Sequence, residues 1–254
     1  MRILFPLVFL YFAFGVLKCF SAEIAVLYRE DIPFYEKMAK NFKQKQIKIC
    51  ALNQIDKCFD DDLKMIVTLG DLALKRALSY KDKCKIYAFF VTKCHSNSTV
   101  RCFYLFPTPN EVLVKIKHFY PKKKIIYLYT EKTKWWIDNF SKAPKYLLEL
   151  RDLKENLRKI FLKKFDILVL APDFLFMHPS FLKDLVVLSL SCSKILVGLS
   201  PAMLNYGIDV VVYYDFDYLS SQLANKNFKS LNQLKVPIKI KFYDLKNSSL
   251  FQSH

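Results

Sequence analysis

Short apolar runs alternate with longer amphipathic stretches along most of the chain. The clearest run lies in FDILVLAPDFLFMHP (165–179), where Ile167 to Ala171 are all apolar and Pro172 and Asp173 follow at once. Five apolar residues without polar alternation favour a strand that is buried on both faces. Asp173 then lies at the carboxyl end of that strand, which is where open α/β sheets hold their ligands.

The same pattern predicts strands and helices in regular alternation, which is typical of parallel sheets covered by helices. A break near Phe106-Pro107 divides the strands into two sets, each of ordinary domain size. The sequence therefore predicts an α/β protein with two Rossmann-like lobes, each with a parallel sheet, and a ligand cleft between them. The predicted strands are 24–28, 47–52, 65–69, 86–91, 102–106, 125–129, 146–150, 167–171, 195–199, 210–213 and an edge strand at 238–243. The predicted helices are 33–44, 71–79, 109–120, 133–142, 153–163, 179–191, 201–206 and 216–226.

Residues 1–22 have a different character from the rest of the chain. A short positive start at Arg2 precedes an apolar stretch, and small residues follow at Ser21 and Ala22. This arrangement is typical of a secretory signal peptide. A retained membrane anchor is less favoured because the apolar stretch is shorter than the roughly 20 residues of a comfortable span. Lys18 disfavours a lipid anchor at Cys19. We therefore expect a periplasmic or other extracytoplasmic location.

The formal net charge of +17 raises the question of an anionic partner. The lysines are spread along the chain, and the run at 122–124 directly precedes an apolar run. This distribution favours solvated surface charge over a nucleic-acid groove, so no nucleic-acid partner is expected.

Six cysteines remain after the leader, and an even number in an exported chain permits disulfides. Cys94 and Cys102 flank one polar loop, and Cys50 and Cys58 flank another short connection, so either pair can close a small loop. Spacing alone does not determine how these four cysteines, Cys84 and Cys192 pair among themselves. The histidines stand far apart, and neither a metal nor another cofactor is expected.

Polar side chains recur at the predicted strand ends, where a pocket needs its polar groups. Asp71, Ser200 and Asp215 each precede or begin a helical pattern, so helix capping competes with ligand contact at every one of them. Tyr35 and Trp135 are the aromatic candidates for covering a ligand. Adjacent residues of a helix point about 100° apart, so the neighbouring tryptophan is expected in the core.

Three stretches together resemble the substrate-binding proteins of ABC transporters, in particular the tryptophan-binding type. They are MIVTLGDLALKRAL, FPTPNEVLVKIKHFYPKKKIIYLYT and DILVLAPDFLFMHPSFLKDLVVLSLSCSKILVGLSPAMLNYGIDVVVYYDFDYLSSQLA. The resemblance covers nearly all of residues 23–245 and implies the type I periplasmic-binding-protein fold. The contact residues that it implies are Gly70, Asp71, Thr92, Asp173, Ser200 and Asp215.

The resemblance also implies that the chain crosses between the lobes three times and that a hinge closes them over the ligand. The implied domains are a signal peptide (1–22), lobe one (23–106 and 214–233), lobe two (107–213 and 234–245) and a C-terminal tail (246–254). The first strand-loop lacks the small residues common in the family, so a changed ligand or lost binding stays open.

The leading hypothesis is an exported, non-enzymatic protein that delivers a small, amino-acid-like organic solute to an ABC permease of the inner membrane. It is expected to act as a monomer. A sensor or partner-binding relative of the same fold is the first alternative. A periplasmic hydrolase is the second, and it is disfavoured because Ser200 lies in GLSPA, where Ala202 breaks the G-x-S-x-G spacing.

Overall fold

The computed structural model describes residues 23–40, 42, 47–59, 63–94, 96–138, 140, 142–225 and 234–243. The predicted leader, the predicted C-terminal tail and residues 226–233 lie outside these ranges. The chain divides into two compact units, which change over after Tyr104 and again after Leu219. Unit one contains the described residues from 23 to 104 and from 220 to 225. Unit two contains those from 105 to 219 and from 234 to 243.

Unit one is built on a five-stranded sheet in which every neighbouring pair is parallel. The strand order is β2-β1-β3-β4-β5. The strands are β1 (Ile24–Tyr28), β2 (Ile47–Ala51), β3 (Met65–Leu69), β4 (Lys85–Val91) and β5 (Val100–Tyr104), and the helices are α1 (Pro33–Lys40) and α2 (Asp71–Ala77). The order places β3 and β4 side by side near the middle, so their carboxyl ends meet at one edge of the sheet.

Unit two is built on a six-stranded sheet of order β11-β10-β9-β8-β6-β7. All neighbours are parallel except β11, which lies antiparallel to β10 at the edge, where the alternating lysines of this segment predicted an edge strand. The strands are β6 (Ile125–Tyr129), β7 (Lys145–Leu147), β8 (Ile167–Leu170), β9 (Ile195–Gly198), β10 (Val210–Tyr214) and β11 (Ile238–Phe242). Its helices are α3 (Pro109–Phe119), α4 (Lys134–Ile137), α5 (Leu153–Phe161) and α6 (Pro179–Ser191). Helix α7 (Phe216–Asn225) begins in unit two, and its residues from 220 onward belong to unit one.

The apolar run that predicted β8 is fully buried, as expected for a central parallel strand. Helix α3 shows how local sequence defines an element. Thr108 and Glu111 form a reciprocal capping box around Pro109, and Val112 and Ile116 bury the apolar face. These choices of cap, first residue and apolar spacing agree with one another, and the helix begins where the sequence predicts.

The segment that leads into α3 is held by aromatic side chains of unit two. The Tyr127 hydroxyl donates to the Pro109 carbonyl at 2.9 Å, and the Trp136 indole nitrogen donates to the Pro107 carbonyl at 3.0 Å. The Tyr214 hydroxyl donates to Glu111 Oε2 at 3.0 Å. The start of unit two is therefore bonded to three of its own elements, β6, α4 and β10.

Several predicted boundaries differ from the structure. The helix expected over 133–142 is the single turn Lys134–Ile137, and 201–206 forms a 3₁₀ helix. The strand expected over 146–150 is only Lys145–Leu147, because β6, the strand with which it pairs, ends at Tyr129. Apolar runs locate such elements, while pairing with a neighbour decides how far they extend.

Residues 92–99 connect β4 to β5, although parallel neighbours usually need a crossover of about a dozen residues or more. A bulge lies at Phe90, whose φ of 59° is unusual for a bulky side chain. The structure contains the disulfides Cys50–Cys58 and Cys94–Cys102, with Cα atoms 6.1 and 6.0 Å apart. The second disulfide spans this short crossover.

Within the described ranges, no helix has the length and apolar character that crossing a membrane requires. The same part of the chain holds no group of three or more His, Cys, Asp or Glu side chains arranged for a metal ion.

Candidate ligand-binding site

The carboxyl edge of the unit-one sheet brings Tyr35 and Gly70 into close contact. Gly70 follows β3 with a φ of 90°, and its amide donates to the Phe89 carbonyl at 2.8 Å. A Cβ at this position would lie only 2.8 Å from the Tyr35 ring. Both the backbone conformation and the space therefore require glycine here.

Asp71 and Thr92 join the ends of β3 and β4 at the same edge. Asp71 Oδ1 accepts the Thr92 amide at 2.8 Å, and Oδ2 accepts the Thr92 hydroxyl at 2.7 Å. Burial raises the pKa of the Tyr35 phenol, and the negative charge of Asp71 raises it further. Four predicted residues, Tyr35, Gly70, Asp71 and Thr92, thus form one cluster in unit one.

Aromatic rings that the sequence did not single out surround this cluster. Phe90 stacks on Tyr35 with centroids 6.0 Å apart, and Phe34 meets Phe90 edge-on at 5.1 Å. The bulge turns Phe90 into this group, and no local sequence signal marks a bulge here. Arg29, the residue after β1, pairs with Asp31, and this pair supplies exposed charge beside Tyr35.

In unit two, Asp173 and Thr130 meet at the carboxyl edge between β6 and β8. The Thr130 hydroxyl donates to Asp173 Oδ2, and the Leu175 amide donates to Oδ1 at 2.8 Å. Both side chains are buried. The carboxylate therefore fixes the turn after β8, and each oxygen keeps further acceptor capacity for a ligand.

A pocket of about 660 Å³ opens beside Asp173 and is lined by residues of unit two alone. This volume is in the usual range for small-molecule sites. Leucines and Phe174 give it an apolar lining, while acids, bases and a histidine stand around them. The lining residues are Thr130, Glu131, Lys132, Leu147, Leu148, Glu149, Leu150, Arg151, Asp173, Phe174, Leu175 and His178.

Of the residues that line this pocket, the sequence pattern placed Thr130 and Asp173 at the ends of predicted strands, and only Asp173 was among the expected contact residues. The signal for the others was available, since Lys132 and Arg151 follow the predicted strands 125–129 and 146–150 almost directly. A polar residue just after a strand is the same indication that selected Asp71 and Asp215.

Trp135, Ser200 and Asp215 do not line this pocket. Trp135 is half-buried against the unit-two core, whereas Trp136 is buried, as expected for one of the pair. Ser200 precedes a 3₁₀ helix without a side-chain capping bond.

Asp215 accepts the Tyr218 amide at 3.1 Å, so it has the helix-capping role that competed with ligand contact. It also pairs with Lys239 at 2.7 Å. Burial by itself would raise the pKa of Asp215, but the bonds from Lys239 and Tyr218 outweigh burial and lower it.

The sequence matches no protein-family model and no curated protein. Solved structures do match. One is the ligand-free, open structure of a substrate-binding protein with adhesive properties from Clostridium difficile. It shares 14% identity with a TM-score of 0.63, over 85% of this chain and 90% of that one.

Another is an ABC domain from Streptococcus pneumonia solved in complex with L-Trp, at 16% identity and a TM-score of 0.50. That match covers 85% of this chain and 86% of the other. The fold is that of ABC substrate-binding proteins. Within this substrate-binding fold, both clusters lie at carboxyl edges of parallel sheets, the edge at which α/β proteins hold ligands.

Proposed function

We propose that the chain is the exported solute-binding component of an ABC transporter and takes up a small, amino-acid-like organic solute. The observation that carries the proposal is the substrate-binding fold, matched over 85% of the chain. The polar and aromatic clusters at the two carboxyl edges support it. The proposal includes the predicted leader, closure of the two units over the solute and delivery to a permease.

We propose binding without catalysis. Two of the matched structures are a substrate-binding protein and an ABC domain in complex with L-Trp. Ser200, the candidate nucleophile, lacks the G-x-S-x-G spacing. The paired Asp71 and Thr92 and the charged rim of the unit-two pocket suit an amine and a carboxylate, and Tyr35 and Phe174 suit an apolar part of the solute.

Thermal unfolding against a panel of amino acids, small carboxylates and aromatic solutes tests this function. A solute that binds only the folded protein, at 100 times its dissociation constant, adds about 2.7 kcal/mol of stability. We expect at least one member of the panel to raise Tm clearly. No shift across the panel would contradict solute binding and favour the sensor or partner-binding alternative.

The affinity of site variants for that solute then tests whether it binds at the unit-one cluster and the unit-two pocket. We expect Asp71→Asn and Arg151→Gln each to weaken binding of the solute by about tenfold or more, the loss of one charged hydrogen bond. Asp82→Asn and Arg158→Gln are matched controls on exposed positions outside both clusters. Equal affinity in all four variants would remove both clusters from the site. Asp173 and Asp215 are poorer test positions because they are buried and their carboxylates hold turns of unit two, whereas Asp71 is exposed.

A further inference from the structure

The amino-terminal edge of the unit-two sheet lies opposite the pocket edge and has a surface of its own. Three short connections reach it, each leading from the end of a helix into a strand: 120–124 after α3, 162–166 after α5 and 192–194 after α6. Backbone bonds join them side by side. The Asp166 amide donates to the Lys124 carbonyl at 2.9 Å, and the Ile195 amide donates to the Asp166 carbonyl at 2.9 Å.

Each of these connections carries lysine immediately or almost immediately before its strand. The lysines are far apart in sequence, but the repeat of helix, turn and strand places them at equivalent positions along one edge. We call this surface the basic edge and define it by Lys122, Lys123, Lys124, Lys163, Lys164 and Lys194. Five of the six are exposed, and Lys194 is half-buried, with its Nζ donating to the Phe165 carbonyl.

The acidic side chains of this edge do not cancel its charge. Among its described residues there are two, Asp166 and Asp209. Asp166 accepts the Lys124 amide at 2.8 Å and the Lys123 ammonium at 3.4 Å. Asp209 is turned inward and accepts the Leu196 amide at 2.8 Å. The outward surface therefore keeps an excess of positive charge.

Large apolar side chains stand exposed at the element ends next to these connections. Phe119 is the last residue of α3 and is 45% exposed, Leu162 directly follows α5 and is 84% exposed, and Leu190 in the last turn of α6 is 70% exposed. Phe242, at the end of β11, is 41% exposed and meets Phe119 edge-on at 5.4 Å. The lysines alone could be explained by their favourable interaction with the negative ends of the helix dipoles, which does not require exposed apolar neighbours. The combination with four exposed apolar groups needs a further explanation.

We propose that the basic edge docks unit two on an anionic lipid bilayer. Lysine ammonium groups are attracted by acidic headgroups, and the exposed Phe and Leu side chains can enter the boundary between headgroups and acyl chains. The same mixture fits a nucleic-acid backbone less well, because phosphate contacts gain nothing from Leu162 or Leu190. The docked edge is opposite the pocket edge of the same sheet, so the lipid surface leaves the pocket of unit two open.

Co-flotation of the full chain, as the cell processes it, with vesicles tests the proposal. Phosphatidylcholine vesicles with and without phosphatidylglycerol are compared at low and high salt. We expect stronger binding to the anionic vesicles and weaker binding as salt rises. Lys122→Ser/Lys124→Ser/Lys164→Ser should reduce anionic binding by on the order of a hundredfold, at about fivefold for each lysine.

The matched control removes the same charge from exposed lysines of unit one, in Lys75→Ser/Lys81→Ser/Lys83→Ser, and should bind almost as wild type. Leu162→Ser/Leu190→Ser should bind anionic vesicles several-fold more weakly, unlike Val114→Ser, which changes an exposed valine in the middle of α3.

Equal losses of vesicle binding in the two lysine triple variants would overturn the proposal, since net charge alone would then explain binding. Retention on duplex DNA but not on vesicles would also overturn it. The solute panel is independent of these results, so either idea can fail alone.

Discussion

Asp166 and Asp209 form a natural pair for comparison at the scale of single residues. Each lies just before a strand of unit two and accepts a backbone amide at 2.8 Å from a neighbouring segment. Their surroundings differ. The Lys124 amide and the nearby lysines lower the pKa of Asp166, whereas burial raises the pKa of Asp209 despite its bond from Leu196.

The two carboxylates should therefore give opposite pH dependences of stability. For Asp209 the folded pKa lies above the unfolded value, taken as 3.8. The native state binds the proton more tightly, so this residue's contribution to stability falls as pH rises from 3.8 through the raised pKa. Asp209→Asn should remove that loss, so the stability of the variant relative to wild type should increase as pH rises from acid to neutral.

Urea unfolding of wild type and both Asn variants, below pH 3.8 and at neutral pH, checks this prediction. Asp166→Asn is the control with the opposite sign. Its folded pKa is depressed, so its contribution is present above 3.8 and is lost as pH falls through the lowered value. Asp166→Asn should therefore lose stability relative to wild type at neutral pH. The same sign in both variants would contradict the assignment of burial as the dominant cause at Asp209.

At this scale the sequence predicts candidates but not their partners. The position of Asp71 after a strand identified it, and its bond to Thr92 depends on β3 and β4 lying side by side. Thr130 and Asp173 are joined in the same way through β6 and β8. Strand order is a property of long-range pairing, and the apolar pattern of a single segment carries no record of it.

The β4–β5 crossover has covalent support from a disulfide. Its described residues form no helix, and it begins at Thr92, the partner of Asp71. The Cys94–Cys102 disulfide closes it, and the Tyr104 hydroxyl donates to the Cys94 carbonyl at 2.9 Å. The disulfide therefore restrains a segment that positions part of the unit-one cluster.

We expect Cys94→Ser/Cys102→Ser to lose about 2–3 kcal/mol of unfolding free energy, the loop entropy of a small disulfide ring. It should also speed hydrogen exchange of the Thr92 amide by tenfold or more. Cys50→Ser/Cys58→Ser is a matched control, because that disulfide also spans eight residues of unit one. It should lose similar stability without a selective effect on Thr92. A Thr92 amide equally protected in both variants would show that the crossover holds its shape without the disulfide.

At the scale of elements, the apolar runs located the described parallel strands, since helices cover both faces of a parallel sheet. The alternation of apolar residues with lysine located the antiparallel edge strand β11. The ends were less predictable. The β4 bulge and the three-residue length of β7 arise from pairing with β5 and β6, which local sequence does not specify. The helix starts at Pro109 and Pro179 were predictable because proline suits the first helical turn.

At the scale of the whole molecule, the two units each have their own sheet. The division of strands near residue 106 could be predicted from the pattern, because a second series of strand and helix begins there. The arrangement of lysines along the basic edge could not be predicted from the sequence pattern. Its lysines are scattered in sequence and come to one edge of the sheet because three connections each lead from a helix into a strand of that sheet.

Removing the hydrogen bond between Tyr214 and Glu111 tests whether the two units open independently of each other. It links β10 to the first turn of α3, and both lie inside unit two. A double-mutant cycle of Tyr214→Phe and Glu111→Gln should give a coupling of about 1.5–3 kcal/mol, as for a hydrogen bond to a charged group. Tyr213→Phe, which deletes a hydroxyl from the other face of the same strand, should show little coupling to Glu111→Gln.

Hydrogen exchange of the Tyr214→Phe and Glu111→Gln variants should reveal faster opening of β6 and β8, with β1 and β3 unchanged, because a separate core protects unit one. Equal acceleration in all four strands would mean that the two sheets unfold as one cooperative structure.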